Sequence, residues 1–518
     1  MLNLKGGGEM KKIKILLPIV AFLIGGYYFY WKDKEPSLNK DVYFFNNKAY
    51  SIFTDKEITG YTLTQELGGK VYREYKDGVL QFEKIIDKDS KLVSNKRFNS
   101  LGLLSGKVYK SIDKKTYGFM YKNNILNGTS EVENSKIDFT DGSINGKNLI
   151  FQYSDTNKQQ QINYKNGVPD FVNLKLPTIE YPKKILVNEM SLPERYSGGV
   201  MYIRPAEIVL LQYEDGILQR KRAYENEDFY YGTLGLKMRD ITYFKTGQTK
   251  QELLYEGGVL KTLRTFNEKG ELDGISYDSS LYSNEFEVKK YQNNILNGES
   301  QQYYLDLNNQ VKKLNGFYKM GIFSGQALNF YKIENFLDGF KVENLDLNSA
   351  KTDFSIKQFD EVPKDFTGFN REVSSSDNSS IINEYKNGKL IKEYSPDYYE
   401  TSVKEFKENG GYYLNIYNSL GFIQKEMEVD KDEVWNGKNI EYFYYDNSCT
   451  KTVGRLANGD LEGKYIHYHG DKIICVDTYF PNDTYERVYY KDYENNVIEK
   501  IDTGKKVNGA WVEDENIK

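Results

Sequence analysis

The chain is short of the residues that most enzyme and metal chemistry depends on. Its 518 residues include two His and two Cys. Both His, His467 and His469, lie on one short stretch, so a Ser- or Cys-based triad would have no choice of positioned base. At i and i+2 they would share one face of a strand, but a metal site needs a third and usually a fourth ligand, and only Cys475 lies near. There is no Gly-x-x-x-x-Gly-Lys-Ser/Thr phosphate loop and no EF-hand spacing. The 75 acidic residues single out no carboxylate pair of the glycosidase kind. The expectation is a protein with no catalytic residues, no cofactor and no metal.

Other scarcities exclude other classes. With a net charge of −5 the chain lacks the basic surface of a nucleic-acid binder. Only 10 Pro are present, and Pro169, Pro177, Pro182 and Pro193 lie in or beside one stretch. Cys449 and Cys475 leave two readings open, a disulfide between non-adjacent strands or two free half-buried thiols. Long apolar runs are absent but for Ile15 to Trp31, 17 residues without a charge, preceded by Lys11, Lys12 and Lys14. That length can cross a bilayer as a helix, and Tyr27, Tyr28, Tyr30 and Trp31 sit where an interfacial aromatic belt belongs. An uncleaved anchor with its basic end inside is expected; a cleaved signal peptide is the alternative. Met10 is a plausible start, followed by Lys11 and Lys12 as a short basic leader. Residues 1–34 carry six Lys and two acids, a net +4, which leaves −9 for the remainder.

What the chain has in excess is Tyr (46) and Gly (43), a composition of short strands and tight turns. They recur in order. Tyr121-Lys-Asn-Asn-Ile-Leu-Asn-Gly128 returns as Tyr291-Gln-Asn-Asn-Ile-Leu-Asn-Gly298. Weaker copies carry turn pairs at Asp77-Gly78, Asn123-Asn124, Asn166-Gly167, Asp215-Gly216, Gly257-Gly258, Asn293-Asn294, Asn387-Gly388 and Asn458-Gly459. Asn-Gly and Asp-Gly supply the positive φ pair of a type I′ hairpin. Copies starting at 243, 255, 266, 291 and 318 point to a period near 12, doubled to one strand–turn–strand hairpin. An aromatic before the turn and an apolar residue after it can pair across the strands, contributing about 0.5–1 kcal/mol.

These spacings predict an all-β fold, an elongated antiparallel β-hairpin meander after one N-terminal transmembrane helix. The expected divisions are 1–34, anchor or signal; 35–170, first array; 171–199, irregular linker; 200–333, second array; 334–381, irregular connector; 382–502, third array; and 503–518, frayed tail. A single-layer sheet leaves some aromatics in solvent. Tyr303, Tyr304, Tyr412, Tyr413, Tyr444 and Tyr445 are the candidate exposed contacts, with one of each adjacent pair facing outward.

The repeat resembles the MORN family, in its bacterial variant with an antitoxin association. The stretch Tyr291 to Tyr304 carries the pattern of aromatic, turn pair, apolar residue and Gly-x-x-x-x-Tyr, and Leu456 to Tyr468 follows it from Asn458-Gly459 onward. The resemblance implies a meander sheet with an interaction role, and no catalytic residue comes with it. The expected function is a membrane-anchored, exported scaffold for protein–protein or cell-envelope interactions. Glycan or cell-wall binding through exposed Tyr, and an antitoxin role, are the alternatives. The partner is an unknown protein or a cell-wall glycan, with no nucleic acid. The location is single-pass membrane with the bulk outside (periplasm or cell surface), or secreted if residues 1–34 are cleaved.

Overall fold

In the computed structural model the described residues are 42–45, 48–51, 54–66, 69–112, 115–132, 135–151, 159–226, 235–280, 285–306, 310–329, 332–345, 356–373, 380–397, 399–445, 448–470, 472–507 and 510–513. All regular structure among them is β-strand. No helix there is long and apolar enough to cross a membrane, and the apolar run 15–31 lies outside the described residues.

The strands form one two-stranded hairpin and three large sheets of 12, 15 and 14 strands. The 12-stranded sheet runs from Gly60–Glu66 to Val168–Pro169, the next from Ile185–Val187 to Phe340–Val342, and the last from Ile356–Lys357 to Ala510–Glu513. Within each, strands adjacent in sequence are adjacent in space and antiparallel, as expected of alternating aromatics and turn pairs. The exceptions are the two-residue strands Ile125–Leu126 and Ile295–Leu296, each pairing only with the strand before it, and the strands that open the second and third sheets. Ile185–Val187 pairs parallel with Gly198–Ile203, and Ile356–Lys357 pairs parallel with Gly368–Val373.

These two openings fall where the aromatic–glycine pattern lapses. The segments read as linker and connector contain strands, and of the tail expected to fray, residues 503–507 and 510–513 lie in the paired strands Val497–Val507 and Ala510–Glu513. A signature is present in the lapses but of another kind, Tyr196-Ser197-Gly198 and Phe366-Thr367-Gly368. In each, the hydroxyl accepts the N–H of the first residue of the next turn: Ser197 from Asp215 at 2.9 Å and Thr367 from Asn387 at 2.9 Å. Thr59 does the same for Asp77 at the start of the first large sheet, at 3.0 Å.

Every turn pair named above has positive φ at both residues, from +49° at Asp77 to +85° at Gly459. A type I′ turn spends the N–H of the residue after the pair on its own closing bond, which leaves the second turn residue's N–H to be satisfied elsewhere. Here it reaches back one hairpin. Gly78 donates to the Ile58 carbonyl at 2.8 Å, Gly167 to Ile144 at 2.7 Å, Gly321 to Leu296 at 2.8 Å, Gly388 to Phe366 at 2.7 Å and Gly459 to Trp435 at 2.9 Å. The result is a ladder of turns along one side of each sheet.

The Asn-Asn turns use the same ladder with an added rung. Asn124 donates its N–H to Leu104 O at 2.9 Å, and its side-chain Oδ1 accepts from Leu104 N at 2.6 Å. Asn294 repeats this with Leu272 at 2.8 and 2.6 Å. Asn costs more than Gly at positive φ, and the reciprocal bond offsets that cost.

The chain divides into two compact units: residues 1–247 with 253–261, and residues 248–252 with 262–518. The strands Thr249–Glu256 and Val259–Thr265 contribute residues to both. Each unit holds parts of two sheets that meet through turn glycines. In the first unit, Lys237 N donates to Gly142 O at 2.8 Å, Ile144 N to Gly258 O at 3.0 Å and Leu260 N to Gly167 O at 2.8 Å. Leu103 and Ile125 of one sheet share a core there with Met201, Leu210 and Tyr224 of the other. In the second unit, Ile423 N donates to Gly339 O at 3.0 Å and Phe323 N to Gly421 O at 3.2 Å. Around that junction Phe336 and Phe422 stack with ring centroids 3.9 Å apart, and Ile295, Met320, Phe369 and Tyr417 fill a second cluster.

Two glycines on the ladder separate the reasons for glycine. At Gly459 (φ +85°) an added Cβ would meet nothing within 4 Å, so Gly459→Ala carries only the backbone penalty, about 1–2 kcal/mol. At Gly388 (φ +71°) it would run into the Lys364 carbonyl oxygen, so Gly388→Ala must also displace backbone. Urea unfolding of the two variants is expected to show the larger loss at Gly388.

Candidate functional site

The part-buried polar cluster with the chemistry of a site is built on four consecutive strands of the third sheet: Ser448–Ala457, Asp460–His469, Lys472–Phe480 and Thr484–Asp492. Thr452 lies opposite His467, His467 opposite Cys475, and Asp477 opposite Arg487. Residues directly opposite in an antiparallel pair share a face, as do residues two apart, so all five side chains project from one side. The pairing slips after His467, where Tyr468 lies opposite Ile473 and Ile474 is the extra residue. Such a bulge re-aims the side chains beside it.

The bonds run in a chain. Thr452 Oγ1 is 2.9 Å from His467 Nδ1, and His467 Nε2 is 3.0 Å from Asp477 Oδ2. Arg487 grips Asp477 with two donors, Nε to Oδ1 at 2.6 Å and Nη2 to Oδ2 at 2.8 Å. Tyr479 donates its hydroxyl to Oδ2 at 3.4 Å. The Asp477 side chain is 1% exposed, against 25% for His467 and 28% for Arg487. Burial alone would raise the Asp477 carboxyl. Hydrogen bonds from Arg487 and His467, with their charges, outweigh it and bring the group to about 2. Burial, with the Asp477 charge beside it, pushes the Cys475 thiol up to about 11. Cys475 is a free, buried thiol, which excludes the disulfide, and the Cys449 side chain lies outside the described set.

The His467, Cys475 and Asp477 ligand atoms all lie within 4.8 Å of one another. The sequence offers His467, His469 and Cys475 and singles out no fourth ligand near them. The missing member is Asp477, and its signal was the Cys-x-Asp spacing that places two donors on one face. His469 is exposed and outside the cluster.

A second charged cluster, in the first unit, has no access to solvent. The Asp141 and Arg222 side chains are 0% exposed, Lys237 3% and Asp240 2%. Asp141 takes Lys237 Nζ at 2.5 Å and the Tyr224 and Tyr181 hydroxyls at 2.6 and 2.8 Å. Arg220 holds Asp240 by two bonds of 2.7 and 2.6 Å. Both arginines also bind carbonyls of the irregular segment, Arg220 that of Thr178 at 2.6 Å and Arg222 that of Glu180 at 3.1 Å. The segment read as a linker is thereby fastened to the face of a sheet. Burial raises the Asp141 carboxyl, but Lys237 and Arg222 outweigh it and hold it below the ordinary range.

Of the six candidate tyrosines, one of each adjacent pair being expected to face outward, Tyr303 is an inward member. It is 3% exposed, its hydroxyl donating to Gln301 Oε1 at 2.6 Å, because its strand lies inside the second sheet and its face is the covered one. Tyr304 and Tyr412 are half-buried, and Tyr413 is 45% exposed. Tyr444 and Tyr445 are strand residues whose side chains lie outside the described set.

No family model matches the chain, and no curated protein matches its sequence. Among solved structures, a chain titled "Crystal structure of the eukaryotic initiation factor" is 9% identical, with 71% of this chain and 94% of that one covered at a TM-score of 0.11. A score that low carries no argument about fold or function.

Two outcomes follow. Asp141→Ala leaves buried cations without their partner and is expected to cost about 3–5 kcal/mol in denaturant unfolding. Asp477 has a lowered carboxyl, so its contribution is full above the ordinary Asp range near 4 and is lost as pH falls toward 2. Asp477→Asn is therefore expected to be less stable than the parent at pH 6, with the gap closing between pH 4 and pH 2 in a urea series.

Proposed function

We propose that this chain is a repeat scaffold that binds another protein along its sheets and is held at a membrane by residues 11–34. The reading rests on exposed apolar side chains on the strands and turns of the third sheet. Trp435, Phe443, Ile474, Phe480, Ile498 and Ile501 are each between 38% and 50% exposed. Large apolar side chains left in solvent on successive hairpins of one sheet suit a partner that runs across the strands. The MORN-like repeat in the sequence, with its expectation of an extended meander, and the charge-free run 15–31 agree with it.

A glycan partner is less well supported. Sugars stack on open aromatic faces, whereas Lys407 Nζ lies 4.3 Å over the Tyr413 ring and Lys425 Nζ 5.7 Å over Trp435.

Intact cells carrying the full chain test both halves. A C-terminal tag removed by external protease supports export, and a protected tag rejects it. A photo-crosslinking residue at Phe480 or Ile498 is expected to give one discrete adduct, and one at Met190, 98% exposed in the irregular segment, none. Equal labelling at all three positions rejects the sheet as the binding surface.

A further inference from the structure

We propose that His467, Cys475 and Asp477 form a binding site for Zn²⁺ or a similar borderline-soft divalent cation. The three donors are imidazole nitrogen, thiolate sulfur and carboxylate oxygen, the set that tetrahedral zinc takes. Their ligand atoms already lie within 4.8 Å of one another, so small rotations of the three side chains converge on a common point. The donors come from two neighbouring strands and one face, and the bulge at Ile474 brings Cys475 opposite His467.

The surroundings fit a ligand set. A metal-binding imidazole is normally oriented by a bond to its other nitrogen, and Thr452 Oγ1 holds His467 Nδ1 at 2.9 Å. That bond leaves Nε2 aimed at the cluster. A ligating carboxylate normally has its second oxygen hydrogen-bonded, and Arg487 Nε holds Asp477 Oδ1 at 2.6 Å. On binding, Oδ2 leaves Arg487 Nη2 and turns to the metal while the Nε bond stays. Cys475 gives up its thiol proton to solvent, and His467 binds as the neutral ring. The thiolate and carboxylate together balance the charge of the ion. Arg487, part-exposed, keeps its own charge in contact with water. Three protein donors leave one position for water or for a group from a partner. This inference does not rest on the scaffold reading, since metal binding is measured on the chain by itself.

The test uses the purified full chain, stripped of metal and titrated with Co²⁺. One equivalent is expected to produce a thiolate-to-cobalt charge-transfer band in the near ultraviolet, which Zn²⁺ then abolishes. The chain has two Cys, so the assignment is decided by variants. Cys475→Ser is expected to lose the band, and Cys449→Ser and His469→Ala to keep it. Thr452→Val, which removes only the bond behind the imidazole, is expected to weaken affinity about 10- to 100-fold. Circular dichroism of each variant establishes that the sheet is retained. No band at one equivalent, a band that survives Cys475→Ser, or one lost in Cys449→Ser overturns the proposal.

Discussion

The backbone N–H of the second turn residue governs this fold. It is a donor that the hairpin does not use for its own closing bond, and its acceptor lies outside the hairpin. The acceptor is a carbonyl of the hairpin before. That requirement spaces successive turns and aligns successive hairpins, and at Gly388 it brings backbones close enough that glycine is demanded twice, for its φ and for its lack of a side chain. Turn glycines also present their carbonyls outward. In each unit they accept N–H groups from a second sheet, as Gly142 does from Lys237 and Gly339 from Ile423. A single backbone need thus organises strand order within a sheet and the join between sheets.

The legible part of this plan was the part written in short-range chemistry. Asp77-Gly78, Asn166-Gly167 and their relatives state a positive φ pair directly, and the aromatic–apolar alternation around them states strands. The Asn-Asn turns were legible as turns but not for their reason, because the bond between Asn124 and Leu104 spans 20 residues. The openings of the second and third sheets were not legible for a related cause. Their strands are short and parallel, and a Ser or Thr hydroxyl carries the signal where the sequence reading looked for aromatics and turn glycines. Alternation put Tyr303 and Tyr304 on opposite faces without saying which of the two is buried.

The two charged clusters use similar ingredients to different ends. Around Asp141 the acids and cations are sealed, and tyrosine hydroxyls and arginine side chains spend their remaining bonds on the protein itself. That arrangement fixes an irregular segment against a sheet. Around Asp477 the carboxylate is equally buried, but His467 and Arg487 reach solvent, and a thiol sits within reach without a bond that commits it. Burial of the anion with exposure of its partners is what separates a group free to exchange its neighbours from one that is not. The candidate site was half visible in the sequence as two His and a Cys. Its acid was one of 75 until pairing across the strands picked it out.

The reach-back bond also sets how such a chain can change in length. Away from the joins between sheets, each turn bonds back only to the hairpin before it, so removing or adding two strands there leaves all later strands pointing as they did, with their inward and outward faces unchanged. Removing one strand would reverse the direction of everything after it and separate each turn from its acceptor. Duplications and losses tolerated by this architecture should therefore come in whole hairpins, and the near-identity of residues 121–128 and 291–298 is what a copied hairpin would leave behind.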